Sequence, residues 1–277
     1  MGALLGLIVA AGFGSADFLG GLASRRAATL AVLSVAQLAA VIVALVVTLT
    51  AGGHPYADDV GFGALAGVLN VAAIGCLYQG LAIGQMGQVA PIAAVIGAVI
   101  PVGWGLLRGE HLGPAPLVGV GLAIVAAALL SLDRDERRGP LVGRALVLAA
   151  AAGSGFGVSL VLFSAASHHG GYWPVLSARV AALLSVWTVL VVTGGLSGLR
   201  GVPAAKAVGA GILDVGATTL LLTALRTSLT AIVAPVASLA PGFTTLHAWW
   251  YLHERLSRVQ LFGVALALVG LGLIATA

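Results

Sequence analysis

Charge is what this 277-residue sequence has least of. Its 13 Lys or Arg and 9 Asp or Glu make up 8% of the chain, against 60% hydrophobic residues. So few charges cannot coat a water-soluble surface, and a mean hydropathy of +1.11 places the chain in a bilayer. Cysteine is almost missing as well. The single Cys76 forms no internal disulfide and no thiolate metal framework, and reads as a small buried hydrophobe in an apolar helix. No basic stretch precedes the first apolar segment, and Asp17 interrupts the place where a cleavage site would follow. That segment is therefore expected to be a retained span rather than a secretory signal. His-rich clusters and phosphate-cradling loops are lacking, so no metal and no cofactor is expected. No basic stripe interleaves with aromatics, which excludes nucleic acid as a partner.

What remains is a succession of apolar segments of about 20 residues, the length that crosses a hydrocarbon core. Ten can be marked off by charged or Gly/Pro-rich breaks, over residues 2–23, 30–51, 60–83, 89–107, 115–132, 141–166, 172–193, 205–225, 230–251 and 259–276. The expected fold is an all-α integral membrane protein of ten transmembrane helices, with connectors too short for any extramembrane domain. Basic residues are distributed one-sidedly among those connectors. Arg25, Arg26, Arg134, Arg137, Arg138, Arg144, Arg200, Lys206, Arg255 and Arg258 fall on one side; only Arg108 and Arg226 fall on the other. The positive-inside rule makes the first side cytoplasmic, which predicts a multi-pass protein of the cytoplasmic membrane with both termini outside.

The two halves of the chain repeat one another. Adding 144 to residues 89–125 superposes Val89-Ala-Pro-Ile-Ala on Val233-Ala-Pro-Val-Ala, Glu110-His-Leu on Glu254-Arg-Leu, and Leu117-Val-Gly-Val on Leu261-Phe-Gly-Val. Apolar composition inflates such matches, so the informative ones are rare residue types in membranes: Pro91 with Pro235, and Glu110 with Glu254. An offset of 143 lays Gly12-Phe-Gly on Gly155-Phe-Gly. The predicted organisation is one five-helix repeat over 1–132, a connecting loop over 133–140 and a second five-helix repeat over 141–277. An odd number of spans per repeat makes the second half enter the membrane from the opposite face, so the repeats are inverted.

The sequence resembles the EamA-type members of the drug/metabolite transporter superfamily. The resemblance is carried by APIAAVIGAVIPVGWGLLRGEHLGPAPLVGVGLAIV and APVASLAPGFTTLHAWWYLHERLSRVQLFGVALALV: a Pro-containing fourth helix, a Glu-x-Leu turn and a Gly-containing fifth helix in each half. It implies a secondary transporter, commonly an exporter of amino acids, other small metabolites or drugs, with a central cavity between the halves. The implied partners are a small-molecule substrate, the lipid bilayer and, if transport is coupled, protons. Monomer and homodimer are both compatible with the sequence.

The site has to be argued from intramembrane polar residues, because a charge within the bilayer is costly and turns toward a cavity or a partner. The candidates are Asp17 in the first span, Asn70 and Gln79 in the third, Arg179 in the seventh, Asp214 in the eighth and His247 in the ninth, with Gln37 adding polarity in the second. Asn70 plus 144 is Asp214, so matching depths of the two halves are both polar. Arg179 and Asp214 differ in depth by about 6 Å at 1.5 Å rise per residue. Asp214 thus reads as a substrate-amine or proton site, as an ion-pair partner of Arg179, or as both. Asp17 lies nearer the cytoplasmic end, where it either serves the site, or snorkels or hydrogen-bonds neighbouring backbone. His247 is expected to be a packing residue, and Glu110 and Glu254 to cap the helix that follows each. Pro91, Pro101, Pro235 and Pro241 remove backbone donors and mark the fourth and ninth spans as hinges.

Two other classes compete with the carrier. An intramembrane protease fails on spacing: after Gly12-x-Gly14 comes Ser15 rather than Asp, and Ser154 is preceded by Ala152-Gly153, so neither GxGD nor GxSG is formed. A channel-like facilitator or a non-transporting scaffold shares the carrier's composition and differs from it only in flux behaviour.

Overall fold

The computed structural model describes residues 1–83, 86–130, 143–166, 171–253 and 257–274. Its regular structure is helical throughout those residues: α1 (Gly2–Ser24), α2 (Thr29–Ala51), α3 (Ala57–Ile83), α4 (Met86–Leu107), α5 (Pro114–Leu130), α6 (Gly143–Ala165), α7 (Trp173–Val192), a 3-10 turn (Gly195–Gly201), α8 (Ala204–Thr227), α9 (Thr230–Ala237), α10 (Ala240–Tyr251) and α11 (Arg258–Ile274). Helix is the only open-ended element that satisfies its own backbone in hydrocarbon. Counting α9 and α10 as one segment, seven are long and apolar enough to cross a membrane; Ile92–Leu107, Pro114–Leu130 and Arg258–Ile274 are apolar but shorter. The expected loop over 133–140 lies outside the described residues, as does Glu254.

The ninth span is not one rod. Pro235 sits inside α9, the helix ends at Ser238, and Pro241 occupies the first turn of α10. Pro235 has no N–H to give and its ring crowds the preceding turn, whereas a proline in a first turn costs nothing because that N–H is unpaired anyway. The break therefore lies between the two prolines. By contrast α4 runs unbroken through both Pro91 and Pro101.

Helices from the first 130 residues pack mostly against helices from the last 135: α1 with α8, α9 and α10, α3 with α6 and α7, α2 with α7 and α8, α4 with α6 and α9, and α5 with α11. Glycine permits the closest of these crossings. A methyl group at Gly67 would lie 2.1 Å from the Ala178 carbonyl oxygen, and one at Gly211 would lie 2.1 Å from that of Ala36. No side chain fits at either point, so α3/α7 and α8/α2 meet backbone to backbone.

The largest buried cluster includes Val9, Ala44, Ala66, Phe163, Val175, Leu222 and Val233. These come from the first half of α1, the later parts of α2, α6 and α8, and the early parts of α3, α7 and α9, which gather at one end of the bundle. That end, where α1 and α3 begin, is packed shut. The outward faces are apolar: Leu49 is 64%, Val192 80% and Leu268 66% exposed. Exposed aliphatic surface on that scale belongs against lipid chains.

Candidate functional site

Asp17 of α1 and Asp214 of α8 lie at similar depth on two packed helices. A methyl at Gly12 would touch the Ala217 side chain at 2.8 Å, and one at Gly209 would meet Leu19 at 3.2 Å. The two helices thus run antiparallel with residue numbers summing to about 229, and Asp214 lies level with residue 15, two positions from Asp17. At 1.5 Å per residue the carboxylates share a depth within about 3 Å, and the charge of Asp214 reaches Asp17.

Only one of the two is answered by a cation. Arg179 of α7, 7% exposed, donates through Nη1 to Oδ2 of Asp214 and through Nη2 to the hydroxyl of Thr218. Thr218 in turn donates to the Asp214 carbonyl at 2.9 Å. The expected Arg179–Asp214 pair is present. Thr218 was not singled out by sequence, although its i+4 position on the Asp214 face was the available signal. Nothing comparable holds Asp17, which has no hydrogen bond or ion pair among the described residues.

The accessibility of Asp17 has a direction. On α1, Gly6 and Ala10 are buried and Phe13 half-buried, while Asp17 and Gly21, which continue the same face, are exposed. The opposite stripe carries Leu4, 63% exposed, and Ile8, 45% exposed, as a lipid face does. Asp17 therefore opens not onto that stripe but onto the face that is packed shut nearer the start of α1. Of the alternatives open for it in the sequence, a hydrogen bond to neighbouring backbone is not found among the described residues.

The remaining candidates do not join this cluster by any hydrogen bond. Asn70 is half-buried on α3, and Gln79 is exposed in the last turn but one of that helix. Gln37 is 5% exposed and its Oε1 has no partner. His247 is engaged elsewhere: its Nε2 lies 3.0 Å from the Ser15 hydroxyl, and its ring meets Phe18 edge-on at 5.5 Å. With Ser15, Phe18, Lys206 and Tyr251 it lines an apolar cleft of about 350 Å³ between α1, α8 and α10, on the side of α1 away from Asp17.

One expectation is overturned. Glu110 does not cap α5, the helix after it, but α9 of the other half. Its Oε1 accepts from the Thr230 N–H at 2.9 Å and its Oε2 from the Ala231 N–H at 2.8 Å. The preceding residue, Leu229, has no side chain able to cap, so the positive end of α9 would be left unpaired in a dry interior without this carboxylate.

No protein-family model matches the chain, and no curated protein is similar to it. A solved structure described only as the crystal structure of a protein is similar over 99% of this chain and 96% of its own, with a TM-score of 0.75 and 16% sequence identity. A likeness at that identity shows a shared fold.

Proposed function

We propose that this chain is a secondary transporter of the EamA type in the drug/metabolite transporter superfamily: ten spans in two inverted five-helix repeats, moving a small amino-acid-like or drug-like metabolite, as an exporter, across the cytoplasmic membrane by alternating access. The observation that carries the reading is Asp17, an exposed carboxylate within the first span with no partner among the described residues, at the depth of an Asp214 whose charge Arg179 already answers. Such a site holds one more negative charge than positive. A proton or a cationic group on the cargo completes it, and an intramembrane ionisable group of this kind marks a transport path.

The helix crossings favour the inverted repeat. Gly12 meets Ala217 and Gly155 meets Ala73, each at 2.8 Å for an added methyl, and these pairs exchange under the offsets of 143 and 144. Gly14 approaches Ala240 and Phe243 of α10, and Gly157 approaches Gly97 and Ile100 of α4, again a matched set at 143. Gln37 and Arg179 each follow, by one residue, the carbonyl that a helix-crossing glycine touches, so two polar side chains occupy equivalent places. Pairings of that kind are what a two-fold axis in the membrane plane produces.

The test begins with a thermal-shift screen of amines, amino acids and organic cations on the purified protein, followed by counterflow of any stabilising compound in proteoliposomes. Saturable counterflow that is lost in Asp17→Asn is the expected result. Non-saturating conductance would instead assign a channel, and flux indifferent to substitution at Asp17 would remove the site.

A further inference from the structure

We infer that Asp59, Arg226, Tyr172 and Thr223 form a polar latch that holds one end of the transport path closed and must open in each cycle. The inference rests on the carrier reading and adds the contact that separates its two states. At the packed end of the bundle, three segments from different halves meet. Arg226, in the last turn of α8, donates from Nη1 to the Gly171 carbonyl at 2.7 Å, and Asp59 is near enough for its charge to act on it. Asp59, in the first turn of α3, is 1% exposed. The Tyr172 hydroxyl is 3.1 Å from the Thr223 hydroxyl, Thr48 donates to the Tyr172 carbonyl at 3.3 Å, and the Trp173 indole donates to the Gly53 carbonyl at 3.2 Å.

The Thr48–Tyr172 and Trp173–Gly53 hydrogen bonds join the first half of the chain to the second, and those of Arg226 with Gly171 and Tyr172 with Thr223 tie α8 to the start of α7. Beneath them lies the apolar cluster around Val9, Phe163 and Leu222. The opposite end differs in both respects. Asp17, Gly21 and Gln79 are exposed there, and the offset of 144 carries Asp59 to Pro203 and Arg226 to Ala82, which cannot pair. The positions that repeat Asp59 and Arg226 therefore carry no charged pair.

The chemistry suits a reversible closure. When the end is shut, Arg226 and Asp59 answer one another and the neighbouring carbonyl; when it opens, water solvates each, so neither state strands a bare charge. An apolar seal alone would gain nothing comparable from hydration on opening.

Accessibility tests this without any cargo. In a Cys76→Ala background, Val9→Cys places a thiol under the latch, where the native side chain is 0% exposed. A membrane-impermeant maleimide is applied in vesicles from the face that carries Asp59. Labelling is expected to be slow with the latch intact and to rise about tenfold in Asp59→Asn and in Arg226→Gln, the shift in a two-state population that loss of one charge-assisted contact brings. The exchanged double variant Asp59→Arg, Arg226→Asp is expected to return it to slow labelling, which general unfolding would not do. Unchanged labelling in both single variants, or fast labelling that the exchange fails to reverse, overturns the latch. The carrier reading is judged separately, by counterflow of the unsubstituted protein.

Discussion

Asp17 and Asp214 are the same residue type at the same depth, and their surroundings assign them different work. Asp214 neutralises a guanidinium that is itself buried and tied to Thr218. Removing its charge leaves Arg179 uncompensated, a change that costs several kcal/mol when fully buried and less here, where the Asp214 side chain is 30% exposed. Asp214→Asn is expected to lower stability in detergent by about 1–3 kcal/mol, read as a drop in unfolding temperature. Asp17 has no partner to lose among the described residues, so Asp17→Asn should leave stability within about 0.5 kcal/mol of the original while abolishing cargo binding. Equal destabilisation by both substitutions would contradict the division of roles. Both carboxylates and Arg179 were legible in the sequence as costly intramembrane charges. Which carboxylate the arginine takes was not, because depth is readable from residue number whereas rotation about a helix axis is not.

At the scale of the element, helix ends and breaks decide what can move. Pro235 and Pro241 were visible as helix disruptors, and the break falls between them at Ser238–Leu239. The matching segment of the first half, α4, carries prolines and remains continuous, because a proline removes one hydrogen bond but packing decides whether the helix parts there. Glu110 teaches a similar lesson. Its place at the end of the fourth span and its carboxylate marked it as a cap, and the helix it caps is 120 residues away in sequence. Glu110→Gln keeps the shape and one acceptor but loses the charge facing α9, and should destabilise the protein by about 1–2 kcal/mol. Hydrogen exchange would show the loss first at Thr230 and Ala231. Loosening confined to α5 would point back to a cap on the adjacent helix.

For the whole molecule, the distribution of basic residues orients the bundle. The one-sided distribution of Lys and Arg among the connectors predicts, under the positive-inside rule, that the packed end faces outward and that Asp17 opens toward the cytoplasm. A short protease-cleavable epitope at either terminus is expected to be cut by protease added to intact cells, and protection of both would invert the orientation. On that predicted orientation the proposed carrier stands inward-open, with the apolar cluster at its outer end and the exposed Asp17 and Gln79 toward the inner one.

Hydropathy and residue spacing are local properties, and by themselves they determined that the chain is built of apolar helices, seven of them among the described residues long enough to cross a membrane, and which few residues bring charge into them. Cross-helix contacts depend on how helices far apart in sequence turn toward one another, so only the tertiary structure decided that Arg179 takes Asp214 and leaves Asp17 open, that Glu110 serves α9, and that Arg226 reaches the Gly171 carbonyl at the packed end.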